Sequence, residues 1–301
     1  MPGHLLHIQL ARSLLEDSHR APDWHRDPKA VNALFHGALG PDMGYFPGAD
    51  DLLSGLAHYL RPVTLARAML DRAESTIEQA YAWGWVTHVL ADALIHPIVN
   101  RAAGVVDFGA SRRPSTAADS QAAHVRVEVG LDAARMIREP DAETLRLRPD
   151  TGTIGMVGDA YRRTYDLDFG LDTLARAQRA LTRFQPLVFR GVGLLGRLQS
   201  GKAPRIRDLP LLAVYAPVRL LSWTAPRSIA FGATHPATPW PWLEAEVGEI
   251  LDLFPETFHR HLATGLTDLP EMNLDTGVPE DPDIPYPPAE ETRKELARRR
   301  R

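Results

Sequence analysis

A chain of 301 residues is long enough to bury a large core in one or two domains, and 44% hydrophobic with 24% charged residues is an ordinary globular balance. The net charge of -4 excludes nucleic-acid binding driven by overall charge, and the absence of cysteine excludes disulfides and thiolate metal sites. Any metal must therefore be held by His, Asp, Glu or backbone groups.

In chain order, Leu6, Leu10, Leu14 and Leu15 recur at helical spacing, and Ser18 with the Pro22 region ends this first helix. The start, MPGHLLHIQLARSLLED, lacks the basic n-region and sustained apolar run of a signal peptide, so a cytoplasmic protein is expected. Residues 36–50, HGALGPDMGYFPGAD, concentrate Gly and Pro and read as a structured loop presenting Asp42. From about residue 62 to 96 the pattern is helical, with 74–95 as one long apolar helix that Pro97 should stop. A polar loop over 101–115 follows, and Thr116 with Asp119 resembles a capping box opening the helix of His124 and Glu128.

Residues 161–207 carry ten Lys or Arg against Asp166, Asp168 and Asp172. This basic stretch reads as a solvated helix face in preference to a phosphate- or anionic-lipid-binding patch. Six prolines fall between 270 and 288 and the chain closes in ARRRR, so 269–301 is expected to be an extended, Pro-rich and then basic tail. No transmembrane segment is expected: the best candidate, LLSWTAP, is flanked by Arg219 and Arg227 and falls short of the roughly 18 apolar residues needed. No internal repeat and no strand alternation stand out.

The long helix places His88, Asp92 and His96 at successive four-residue steps, so their side chains project along one face. The later helix repeats the device with His124 and Glu128. Both stripes lie among Val, Leu and Ala, where an unpartnered polar group costs about 1–3 kcal/mol. A single histidine there reads as a hydrogen-bonded core residue, and pairing between His and carboxylate is the structural alternative. Five such residues at repeated spacing point instead to a polynuclear metal centre.

With His7, Asp42 in GALGPD and His58 added in order, these motifs resemble the bacterial zinc-dependent phospholipases C over about residues 1–135. Related single-strand-specific zinc nucleases share the ligand order. The resemblance implies an all-α, multi-helix bundle with the metal centre between helices. A zinc hydrolase domain would fill 1–268, its ligands in 1–135 and helical completion in 136–268. It further implies two or three zinc ions: one held by His58, His88 and Asp92, one by Asp92 and His7, and one by His96, His124 and Glu128. Asp42 matches the family carboxylate that acts as general base. His7 fits the family segment better than His4. Secreted relatives also use the amino group of their processed first residue, a place Pro2 would take here.

The expected activity is hydrolysis of a phosphodiester or phosphomonoester by metal-activated water, with phospholipid among the candidate substrates. A zinc nuclease or nucleotidase is the alternative enzyme, and the one reading in which nucleic acid is a partner. A zinc-binding helical protein without turnover is the alternative of another class. His36 reads as packed before it reads as a support to a ligand. Tyr45, Phe46, Trp83 and Trp85 could line a cleft but at this spacing read as core. His19, His25, His235, His259 and His261 lack partners at helical spacing.

Overall fold

The computed structural model describes residues 3–16, 20–110, 112–148, 151–279 and 285–301. It is 73% helical, as an all-α fold requires. The helices, in chain order, are α1 (His4–Glu16), α2 (Pro28–Ala38), α3 (Asp51–Tyr59), α4 (Pro62–Arg72), α5 (Thr76–Phe108), α6 (Gln121–Arg138), α7 (Ile154–Tyr165), α8 (Leu171–Gln199), α9 (Leu209–Ser222), α10 (Ile229–Thr234), α11 (Pro241–Ala263) and α12 (Pro287–Arg299). Among the described residues the only strands are the two-residue pair Met272–Asn273 and Val278–Pro279.

The chain divides into two compact units. One gathers residues 1–6, 95–146 and 185–249, and the other residues 7–94, 147–184 and 250–301. Four of the boundaries fall inside α1, α5, α8 and α11, and the fifth, at 146/147, precedes α7.

In the second of these units α2 and α5 meet backbone to backbone. A Cβ at Gly37 would overlap the Tyr81 carbonyl oxygen, and one at Gly84 would overlap that of Leu34. Only glycine allows this approach, which brings the Ala38 carbonyl against His88. α7 is tied to α3 through Tyr161, which donates to Leu53 O (2.8 Å), and Tyr165, which donates to Leu56 O (2.9 Å). The segment 40–45, placed by sequence in a loop, is a 3-10 turn that buries Asp42.

The chain end is not extended throughout: 287–299 forms α12, which buries Ala289, Thr292 and Leu296, rests Thr292 against Gly55 of α3 and pairs Arg299 with Asp50. Its Pro287 and Pro288 start the helix, where a missing N–H has no cost. Nor does Pro97 stop α5. The helix runs to Phe108, replacing the loop expected from 101, because Ile98, Val99, Ala102 and Ala103 continue the buried pattern. Their packing offsets the roughly 3 kcal/mol that an interior proline costs.

α5 is also long and apolar enough to cross a bilayer, contrary to the expectation that no stretch is. However, 67% of its most apolar window is buried within the protein itself, the behaviour of a core helix.

In the other unit α6 is the framework. Gly130 approaches the Ala237 backbone, Gly232 of α10 approaches Ala122, and Gly196 of α8 approaches Ala133. Thr116 and Asp119 exchange hydrogen bonds as a turn, but the residue that caps α6 is Ser120, whose side chain accepts from Ala123 N. Part of the basic 161–207 stretch is structural: Arg197, Arg205 and Arg207 converge on the buried Glu143, and Arg197 also holds the buried Asp208.

Candidate metal centres

The eight residues singled out by sequence are all buried and fall into two groups, one in each unit. The first gathers His7 from α1, Asp42 from the 3-10 turn, His58 from α3, and His88 and Asp92 from α5. Asp92 turns its Oδ1 to His7 Nε2 (3.2 Å) and its Oδ2 to His88 Nε2 (3.1 Å). His58 Nε2 lies 3.4 Å from Asp42 Oδ1 and 3.3 Å from His88 Nε2. The donor atoms of His7, Asp42 and His88, and those of His58, His88 and Asp92, each fall within 4.8 Å of one another.

Which nitrogens carry protons follows from the backbone. A carbonyl oxygen can only accept, so His88 Nδ1–H donates to Ala38 O (2.9 Å) and His58 Nδ1–H donates to Ser54 O (2.8 Å). In the neutral rings both Nε2 atoms therefore present lone pairs, and they face each other and two carboxylates. Burial lowers the affinity of His58 for a second proton, but the hydrogen bond and charge of Asp42, with the charge of Asp92, reverse this and raise it. Burial and the neighbouring His7 lower that of His88. One extra proton on His58 would supply a single donor where two carboxylates and an imidazole nitrogen meet. A cation satisfies all of them at once. Ligands of a tetrahedral ion at bond lengths of about 2.0–2.1 Å stand roughly 3.3 Å apart, which matches the spacings here.

The second group joins His96 of α5 with His124 and Glu128 of α6. Glu128 Oε1 lies 2.9 Å from His124 Nε2 and 3.2 Å from His96 Nε2. All three donor atoms again fall within 4.8 Å of one another. The Nδ1–H of His124 donates to Asn100 Oδ1 (3.1 Å), so its Nε2 presents a lone pair in the neutral ring and donates to Glu128 when the ring is protonated. Burial raises the Glu128 carboxyl, but the charge and hydrogen bond of His124 and the hydrogen bond from His96 outweigh it and hold the group far below the usual range. Its other oxygen, Oε2, is buried and has no hydrogen-bond partner among the described residues. An ionised, half-partnered carboxylate against two imidazoles fits a cation, and the all-nitrogen-and-oxygen donor set of both groups suits zinc. His124→Ala or Glu128→Ala is expected to lower bound zinc by about one ion per chain and to lower Tm with it, since the partner left behind stays buried without its cation. Normal zinc content in both variants, read by elemental analysis, would return this helix to ordinary core.

His36 is packed as expected, donating to Arg148 O (2.8 Å), and Trp85 and Phe46 are core. Tyr45 stands 5.5 Å from the His58 ring, and burial followed by the charge of Asp275 pushes its hydroxyl far up, so it stays protonated. Sequence reasoning missed Asn100 and Asp132. Asn100 lies one four-residue step beyond His96, and Asp132 one step beyond Glu128, so both extend stripes already visible. Asp132 accepts from the backbone N–H groups of Leu5 (3.0 Å) and Leu6, anchoring the start of α1, and burial pushes its carboxyl up to about 6. His4 is buried in this same unit, whereas His7 belongs to the first group. Pro2, the expected terminal amine, lies outside the described residues, as do Ser18 and His19.

Compared with known families, residues 6–170 match the one described as zinc dependent phospholipase C, which is more than half of the chain and extends past Glu128 through α7. No curated protein and no solved structure matches.

Proposed function

The chain belongs to the zinc-dependent phospholipase C family, and from that premise we propose that it is a zinc-dependent phosphoesterase hydrolysing a phosphodiester or phosphomonoester. The observation that carries the reading is the first group of residues: imidazoles whose N–H groups are committed to backbone carbonyls and whose free nitrogens converge on two buried carboxylates. His58, His88 and Asp92 would hold one ion, and His7 would share Asp92 with a second. His96, His124 and Glu128 would hold a third.

Zinc, when bound, supplies Lewis-acid polarisation of the phosphoryl oxygens and lowers the pKa of water toward neutrality. The protein supplies the rest. Asp92 spans two imidazoles with its two oxygens, which fixes the positions that the first group offers. Asp42 accepts the proton of the attacking water at a carboxylate oxygen. Full burial of its side chain keeps bulk water from competing for that proton.

The test is hydrolysis of a panel comprising choline phospholipid, single-stranded DNA, a nucleotide and p-nitrophenyl phosphate by zinc-loaded protein. At least one ester should be cleaved, with activity lost on chelation and restored by zinc. A preference for DNA or nucleotide would select the nuclease alternative. No turnover on any ester with zinc in place would leave a metal-binding protein without this chemistry.

A further inference from the structure

α9 is amphipathic in the opposite sense to an ordinary surface helix, which buries its apolar stripe and turns its polar face to water. Its polar residues Tyr215, Arg219 and Ser222, spaced four and three apart, turn toward Thr234 of α10, with Ser222 buried, Tyr215 half-buried and Arg219 still exposed. Tyr215 donates to Thr234 O (2.7 Å), Arg219 donates to Thr234 O (2.9 Å) and to the Tyr215 hydroxyl (2.6 Å), and Ser222 Oγ meets Thr234 Oγ1 (3.1 Å). Ser222 is the only buried residue of the helix. The apolar side chains are outside: Val214 is 63% exposed, Leu220 72%, Leu221 66% and the adjoining Trp223 61%, with Leu209 and Ile229 also exposed. From 209 to 226 the sole charge is Arg219, which is exposed but donates to Thr234 O and the Tyr215 hydroxyl.

We propose that α9 and Trp223 form a docking surface that seats in the headgroup and outer acyl region of an anionic lipid bilayer. An apolar segment whose one charge is a cation already hydrogen-bonded to its own protein, ending in an exposed tryptophan, is what the anionic interfacial layer accepts. The flanks complement negative headgroups. Lys202, Arg205 and Arg207 precede the helix and Arg227 follows it, while Asp208, the one acid among them, is buried against Arg197. Arg205 and Arg207 share the buried Glu143, but Lys202 and Arg227 pair with no carboxylate among the described residues. The inference deepens the phosphoesterase reading, on which it rests for its link to substrate, by naming a lipid surface as the place of action.

The experiment measures co-sedimentation of the full, zinc-loaded chain with vesicles of phosphatidylcholine alone and of phosphatidylcholine containing about one third phosphatidylglycerol. The parent should bind the anionic vesicles more tightly than the neutral ones. The Leu220→Glu/Leu221→Glu variant should bind them at least roughly tenfold more weakly, with unchanged zinc content and circular dichroism. A shift of tryptophan emission on vesicle addition should disappear in Trp223→Phe. Binding by the parent to neither vesicle, or equal binding by parent and variant, would overturn the proposal. So would a parent dimer that binds no vesicle and that the same substitutions split into monomers, which would assign the face to a second copy. Hydrolysis of soluble p-nitrophenyl phosphate, read in parallel, separates a failure of this surface from a failure of the phosphoesterase reading.

Discussion

Replacing Asp42 with Asn is expected to remove turnover by about a hundredfold or more while bound zinc stays near the parent level. The substitution keeps shape and removes the ability to take a proton. Asp42 is fully buried in a turn whose Gly44 N–H donates to Ser54 Oγ. Its Oδ1 stands 3.4 Å from His58 Nε2, close enough to a ligand set for proton acceptance and for ligation alike. The two measurements separate those roles. Loss of zinc together with activity would make Asp42 a ligand, and an unchanged hydrolysis rate would remove it from the reaction.

Asp92→Asn should be more damaging. Its carboxylate faces His88 at 3.1 Å, His7 at 3.2 Å and His58 at 3.7 Å, so one charge serves every imidazole in the first group. Without it, three buried imidazoles converge on a neutral amide, and a cation placed among them would be held far less tightly. Turnover should fall by roughly a thousandfold or to background, as expected for losing metal-centred charge stabilisation of several kcal/mol. Zinc should fall to the complement held by His96, His124 and Glu128. A variant that keeps its full zinc content would show that Asp92 is not shared between ions.

The stripes that carry this chemistry were legible because helical spacing is fixed. His88, Asp92 and His96 had to share a face of α5, as His124 and Glu128 had to share one of α6. The same rule, carried one step further, reaches Asn100 and Asp132. Other features depend on contacts between distant segments. Nothing local shows that the Ala38 carbonyl fixes the tautomer of His88, because that contact requires the glycine crossing of α2 and α5. Pro97 was misleading for the same reason: its local preference opposes the helix, while burial of the residues beyond it sustains the helix. The last helix was hidden by its prolines, two of which open it and none of which interrupts it. The outward apolar face of α9 was likewise invisible, since the pattern of a helix does not say which side is covered.

Elemental analysis of the purified protein, with and without zinc reconstitution, counts the ions that these residues hold. The seven nitrogen and oxygen ligands proposed, His7, His58, His88, Asp92, His96, His124 and Glu128, exceed what one tetrahedral ion needs and lie in two separate groups. More than one zinc per chain is therefore the predicted result. One zinc or fewer after reconstitution would contradict the polynuclear account.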